Sequence, residues 1–287
     1  MTDLLRRPTA ADRYDRVAQD SAAAVIAGYS TSFGWACRLL REPVRTHVRN
    51  VYALVRVADE VVDDPDPAVP PALRAAMLRD LRDEVDRAVA TGRSANLVVH
   101  AFALTARRYG IGGDLVGPFF DSMAADLTHD THDQRSLEQY VHGSAEVVGL
   151  MCLRVFLGGD DESYVRLAPA ASRLGAAFQK VNFLRDLADD HDTLGRTYFP
   201  GLDVDAVTDA QRDALLDDID ADLAAAATAI PHLPPDSRRA VRAAHGLFAE
   251  LSRRLRATPA AEIRRTRVRV PDRTKALVLV RALTGRS

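Results

Sequence analysis

An all-α fold in one domain is what this sequence of 287 residues predicts, and three observations carry the prediction. Apolar residues recur at helical spacing through nearly the whole chain. The composition is 47% apolar and only 6% aromatic, with Ala, Leu and Arg prominent, and these residues lose little on entering a helix. Prolines fall mostly where such helices begin or end. A chain of this length can bury roughly 75% of the surface its unfolded form exposes, so a sizeable core is feasible.

In chain order the pattern predicts helices over about 11–28 and 33–41, then 44–64 between Pro43 and Pro65. Pro70 and Pro71 open the next, 71–91. A helix over 95–109 ends in the glycine turn YGIGGD, and the following one, 113–127, has Pro118 assigned to its first turn. The polar cluster HDTHD, 129–133, reads as a loop, with metal binding through His129 and His132 as the alternative. Helices over 135–158 and 162–193 follow, then 208–229, 236–257 after Pro234 and Pro235, and 272–284 after Pro271. The only period-2 stretch, RTRVRV at 265–270, is too short to argue for a sheet.

Net charge is −2, so no nucleic acid is expected as a partner. Residues 253–287 nevertheless hold eleven Arg or Lys against Glu262 and Asp272 alone. They read either as a solvated face or as a cationic surface for an anionic substrate or membrane. Cys37 and Cys152 are too few for a disulfide framework and lack metal-ligand spacing, so buried thiols are expected. The N-terminus has no signal-peptide core, and Val147–Leu157, the longest apolar run, is interrupted by Arg154. The expected location is the cytoplasm, with at most peripheral contact with the membrane through the basic C-terminus.

The chemistry concentrates in two segments. In VYALVRVADEVVDD, 51–64, Asp59 and Asp63 are four apart and share one helix face, with Tyr52 and Arg56 near the same stripe. One such pair is common on a solvated surface. A second occurs in AAFQKVNFLRDLADDHD, 176–192, where Gln179, Asn182, Asp186 and Asp190 run at spacings of three, four and four. Phe178, Val181, Phe183, Leu184 and Leu187 make the other faces of that helix apolar, so the polar stripe should face an interior cavity. Two such stripes suit Mg²⁺ bridging a diphosphate, because this cation uses one or two carboxylates together with phosphate oxygens and water. Arg56 and Arg185 could then neutralise a departing diphosphate.

These segments, with YSTSF (29–33), YVHGSAEVVGLMCLRVF (140–156) and GRTYFP (195–200), resemble the squalene and phytoene synthase family of head-to-head isoprenoid synthases. The resemblance runs from about Tyr29 to Lys275, and its wording is most like bacterial phytoene synthases. It implies a helical bundle around a central apolar cavity, with Asp59, Asp63, Asp186 and Asp190 as magnesium ligands and Mn²⁺ able to substitute. It puts Ser30, Ser32, Arg56, Asn182 and Arg185 around diphosphate. Tyr52, Tyr140 and Gln179 would line the reaction zone, and Phe33, Val148, Gly149, Leu150 and Phe178 would shape the walls. Arg267 is the C-terminal arginine expected to meet diphosphate. Gly149 has a physical reason as well: glycine costs a helix about 1 kcal/mol against alanine, so a close approach there is expected.

The implied reaction joins two prenyl diphosphates through a cyclopropyl diphosphate. With two geranylgeranyl diphosphates it gives phytoene by proton loss, and NADPH is not expected. Farnesyl diphosphate, giving squalene, dehydrosqualene or presqualene diphosphate, is the alternative; transfer to another acceptor or cyclisation of one substrate is a third. The chain departs from the family pattern at Glu60, at His142 and Glu146, and in having no tyrosine after Tyr198.

Overall fold

The computed structural model describes residues 9–29, 32–64, 66 and 68–284, except for the side chains of Ser32, Phe33, Leu194 and Thr284. Its architecture is all-α, and the described residues form no β-strand beyond one isolated bridge between Thr131 and Thr197. Helix α1 (Ala10–Tyr29) buries Ala18, Ala22 and Ile26, a stripe at spacing four that packs on α3 (Val44–Val62) and α5 (Leu97–Tyr109). Helix α2 (Ser32–Cys37) is shorter than its pattern predicts. From Arg38 onward the chain tightens into i→i+3 bonds, Leu39 N–H to Ala36 O and Leu40 N–H to Cys37 O.

Local chemistry sets many of the other ends. Pro71 opens α4 (Pro71–Thr91), and Gly92 closes it at φ +82°, a conformation that suits glycine. Asn96 caps α5 by accepting from the N–H groups of Val98 and Val99. Helix α6 (Gly113–Ala125) starts five residues before Pro118, which therefore lies in the helix interior and not in the first turn. The surface around Pro118 is covered by a neighbouring backbone: a Cβ on Gly143 would lie 2.2 Å from the Pro118 carbonyl oxygen.

Gly143 belongs to a π turn, His142–Glu146, between α7 (Gln134–Val141) and α8 (Val147–Leu157). Together these form one rod, Gln134–Leu157, long and apolar enough to cross a membrane by length and composition. Here the rod packs against α3, α6 and the long helix α9 (Asp161–Arg185). The predicted single helix 162–193 breaks at Asp186, and α10 (Leu187–Leu194) restarts at once. The chain continues through α11 (Asp209–Ala229), opened by a Thr208–Gln211 capping box, and α12 (Pro235–Ala257). A short α13 (Ala260–Ile263) and α14 (Asp272–Thr284) complete it, and RTRVRV runs between them without pairing into a strand.

Two large apolar clusters make up most of the core among the described residues. One joins α3, α5, α6 and α8 through Leu54, Phe102, Phe119, Phe120 and Met151. The other joins α9, α11 and α12 through Leu184, Leu216, Ile219 and Leu255. Helices α8 and α9 stand side by side between them, and an apolar cavity lies along that seam.

Candidate active site

The first acidic stripe lies on α3. Asp59 is half-buried, and burial, then the negative charge of Asp63, pushes its carboxyl up to about 8. No described residue donates a hydrogen bond to that carboxylate. Arg56, one turn earlier, pairs with Glu60 and lies 4.6 Å from the centre of the Tyr29 ring. Its Nε is buried without a partner among the described residues. Tyr29 in turn donates to Glu60 at 3.3 Å, so Glu60, where the chain departs from the family pattern, helps to hold this end of the site. Tyr52 is half-buried on the same helix against the first apolar cluster.

The second stripe spans the break after α9. Asp186 accepts from Arg185 on one side and from Arg267, Nε to Oδ1 at 2.7 Å, on the other. Arg267 therefore reaches the acidic stripe from the extended segment before α14. Asp190, one turn into α10, is pushed up to about 7 by burial and by the charge of Asp186, with Asp63 adding to it. Asn182 is half-buried between Gln179 and Asp186 on the same face.

The residue that joins the stripes was not singled out from the sequence. Arg196, in the GRTYFP segment, is 8% exposed, and its Nη1 donates to Asp63 at 2.8 Å. Its Nη2 donates to the backbone carbonyl of Asp126 at 3.1 Å, while its own backbone N–H bonds the carbonyl of Asp190 at 2.9 Å. One residue, through its side chain and its backbone N–H, thus ties the ends of α3 and α6 to α10. Burial pushes the carboxyl of Asp126 up to about 6, although Arg196 and the Tyr140 hydroxyl, donating at 2.7 Å, pull it down. Tyr140 is packed among Phe183, Tyr198 and His132 and is not among the residues that line the apolar cavity. His132, read as part of a polar loop, stacks on Tyr198 at 5.7 Å between ring centres. The available signal was the GRTYFP wording; nothing in its spacing pointed to Asp63 or Asp126.

The apolar cavity lies along the α8–α9 seam, and Gln179, on the α9 face that carries Asn182 and Asp186, is part of its lining. It has a volume of about 260 Å³ and walls from α2, α3, α8, α9, α11 and α12. Val148, Gly149, Phe178 and Gln179 line it, whereas Leu150 turns the other way into the first apolar cluster. The reason is helical: Leu150 lies about 100° around α8 from Gly149. A Cβ on Gly149 would stand 3.0 Å from the Ala171 carbonyl oxygen, so the close approach expected of this glycine is to α9. Phe178 stacks on Phe248 of α12 at 3.8 Å. Cys37 and Cys152 both line the cavity, and burial pushes each thiol up to about 12. Ser30 lies outside the described residues, as do the side chains of Ser32 and Phe33, so those three assignments stand where the sequence left them.

The basic C-terminal segment divides. Arg253 and Arg254 pair with Glu250, and Arg256 reaches Asp217 and Asp220 on α11. Each of these guanidinium groups thus has an acidic partner within the protein. Exposed apolar residues lie instead on α14, at Leu277, Val280 and Leu283, and on α2, at Trp35.

Among the described residues no three His, Cys, Asp or Glu side chains close a metal site alone. The donors present are hard carboxylate oxygens, two of them raised by burial and mutual repulsion. That set fits a cation such as Mg²⁺, which takes one or two carboxylates and completes its shell with water and phosphate oxygens.

Comparison with known proteins bears on the family and the fold. A squalene/phytoene synthase family model matches residues 26–274. The phytoene synthase of Mycobacterium tuberculosis is 29% identical over 274 residues, covering 88% of this chain and 86% of that protein. The 4,4'-diapophytoene synthase of Staphylococcus haemolyticus is 27% identical, covering 61% of this chain and 59% of that protein. The presqualene diphosphate synthase of Rhodopseudomonas palustris is 28% identical, and the match spans 58% of its length. Among solved structures, a dehydrosqualene synthase superposes with a TM-score of 0.79 at 20% identity, covering 95% of this chain and 98% of the other. The squalene synthase of Alicyclobacillus acidocaldarius superposes with a TM-score of 0.69, also at 20% identity, over 88% of this chain and 94% of the other. At these identities the superpositions establish the fold.

Proposed function

The chain belongs to the squalene/phytoene synthase family, and from that premise we propose that it joins two allylic prenyl diphosphates head to head. In this reading two geranylgeranyl diphosphates form a cyclopropyl diphosphate and then phytoene, releasing diphosphate, without a nicotinamide reductant. One observation carries it: two acidic stripes are bridged by Arg196, and the α9 face that carries the second of them continues at Gln179 into the wall of an apolar cavity. A prenyl diphosphate has the same division into a multiply charged head and a hydrocarbon tail.

In the proposed complex Asp59, Asp63, Asp186 and Asp190 hold Mg²⁺, or Mn²⁺ in its place. The bound cation supplies Lewis acidity toward the diphosphate oxygens and offsets the charge that leaves with them. Arg56, Arg185 and Arg267 bring guanidinium groups to the same region, where they bind the departing anion. Asn182 and Gln179 orient the head of the substrate from α9. Val148, Gly149 and Phe178 exclude water along the tail, so the cation formed by ionisation meets carbon and not hydroxide. Purified protein with Mg²⁺ and C15 or C20 diphosphate, with and without NADPH, followed by product mass spectrometry, tests the assignment. No coupled product from either substrate would overturn it.

A second reading, with farnesyl diphosphate as substrate, is favoured by the diapophytoene and presqualene diphosphate synthases among the relatives. The same assay separates the two. We place the protein in the cytoplasm, with peripheral membrane contact through the outer face of α14 and Trp35 and not through Arg253, Arg254 and Arg256. Apolar side chains beside exposed Arg38 and Arg273 suit an anionic lipid surface.

A further inference from the structure

The π turn between α7 and α8 has a built-in polar group that the mechanism above does not use. Ser144 lines the apolar cavity, and its hydroxyl oxygen is buried without a hydrogen-bond partner among the described residues. A helical serine normally turns back to the carbonyl four residues earlier. Here that carbonyl, on Tyr140, already accepts from the Ser122 hydroxyl of α6 at 3.2 Å. The backbone has also widened locally, Val147 N–H reaching His142 O across five residues.

Two glycines fix the turn from opposite sides. A Cβ on Gly143 would lie 2.1 Å from Ser122 Oγ, and one on Gly175 would lie 2.6 Å from the Ala145 carbonyl oxygen. Gly149 meets Ala171 and Gly175 meets Ala145, so α8 and α9 run antiparallel in a defined register. That register sets Ser144 between the levels of Gly175 and Gln179, the latter roughly 10 Å along α9 from Asp186. Apart from the two cysteines, Ser144 and Gln179 are the only polar residues among the described residues that line this cavity.

We propose that Ser144 is a specificity-determining residue of the head-to-head reaction. Its hydroxyl oxygen and the Gln179 amide oxygen present the negative ends of two dipoles to the positive charge on the reacting chain. This rests on the reaction assigned above. Ser144 forms no bond and takes no proton. The allylic C–O bond breaks with its electron pair leaving on diphosphate, and the charge left on carbon is what the oxygens face.

The experiment compares wild type with Ser144→Ala and Ser144→Thr in two assays. In the first, binding of protonated geranylgeranylamine is measured against the uncharged C20 hydrocarbon of the same skeleton. Ser144→Ala should lose about tenfold affinity for the ammonium and none for the hydrocarbon, and Ser144→Thr should restore it. In the second, Ser144→Ala should lower kcat with little change in KM and shift the product distribution, without lowering Tm. Unchanged kcat and products in an active Ser144→Ala enzyme would overturn the role of Ser144 while leaving the reaction intact. Equal losses for amine and hydrocarbon would overturn it too, because a mere packing role predicts them. A wild type that couples neither C15 nor C20 diphosphate would instead remove the reaction on which the role depends.

Discussion

Arg196 donates to Asp63 across 133 residues of sequence at 2.8 Å. The contact brings the end of α3 against the loop that follows α10. The same guanidinium is 3.8 Å from the Asp126 carboxylate, so a nearly buried cation is shared by acids from two helices. Removing one partner of a buried ion pair typically costs 3–5 kcal/mol, because the other charge is left uncompensated. Arg196→Ala should therefore lower Tm and activity together, and Arg196→Lys should recover part of the stability. Thermal unfolding alongside kinetics checks both. A fully stable Arg196→Ala protein would show that the contact does not organise the site.

The raised carboxyls predict a pH dependence for the metal-free protein. Asp59 and Asp190 are displaced upward, to about 8 and about 7, so folding favours their protonated forms. The stabilisation they provide is fully present below the ordinary carboxyl range and is lost as pH rises toward about 8. Metal-free Tm should fall between pH 5 and pH 8, and Asp59→Asn should flatten the fall. Mg²⁺ should raise Tm more at pH 8 than at pH 5. EDTA should abolish turnover, and Asp59→Asn or Asp186→Asn should each lose most of it with helical circular dichroism unchanged.

Gly149 offers a test of the cavity wall. Its missing side chain leaves 3.0 Å to a backbone oxygen of α9, which cannot yield as a flexible side chain would. Gly149→Leu should block the C20 substrate before it affects C15. Overpacking a well-filled interior typically costs 1–3 kcal/mol, so a moderate fall in Tm is expected as well. Undiminished C20 turnover would place the bound chain elsewhere.

Arg267 should matter to catalysis more than to folding. It is 44% exposed, and its partner Asp186 keeps Arg185 when Arg267 is removed. Exposed pairs contribute about 0–1 kcal/mol, so Arg267→Ala should leave Tm nearly unchanged. Loss of one charge-assisted contact to diphosphate should lower kcat/KM by about tenfold or more. Unchanged steady-state constants would remove Arg267 from the site.

Membrane contact can be tested by flotation on vesicles containing anionic lipid. Trp35→Ser combined with Leu277→Ser should reduce binding, since both side chains are about half exposed. Alanine at Arg253, Arg254 and Arg256 should change it little, because those guanidinium groups are held by Glu250, Asp217 and Asp220. Binding should weaken with salt as the Debye length shortens. Wild type that fails to float at low salt would leave α14 as an ordinary exposed helix.

The sequence by itself determined what repeats along the chain or follows from nearest neighbours. Helix order was legible because burial imposes a 3.6-residue period, and Pro71, Asn96, Thr208 and Gly92 punctuate it through local hydrogen bonds and backbone angles. The two acidic stripes were legible for the same reason, since a spacing of four puts side chains on one face. Only the tertiary structure decided what depends on partners distant in sequence. Leu150 turns into the core and Gly149 against α9, although both stand in one apolar run. The break of the predicted long helix at Asp186 coincides with guanidinium groups from Arg185 and, 81 residues later, Arg267. Arg196 becomes the bridge between stripes through packing that no local spacing encodes. The π turn that strands the Ser144 hydroxyl arises where Ser122 of another helix takes the Tyr140 carbonyl, a competition that exists only once the helices are assembled.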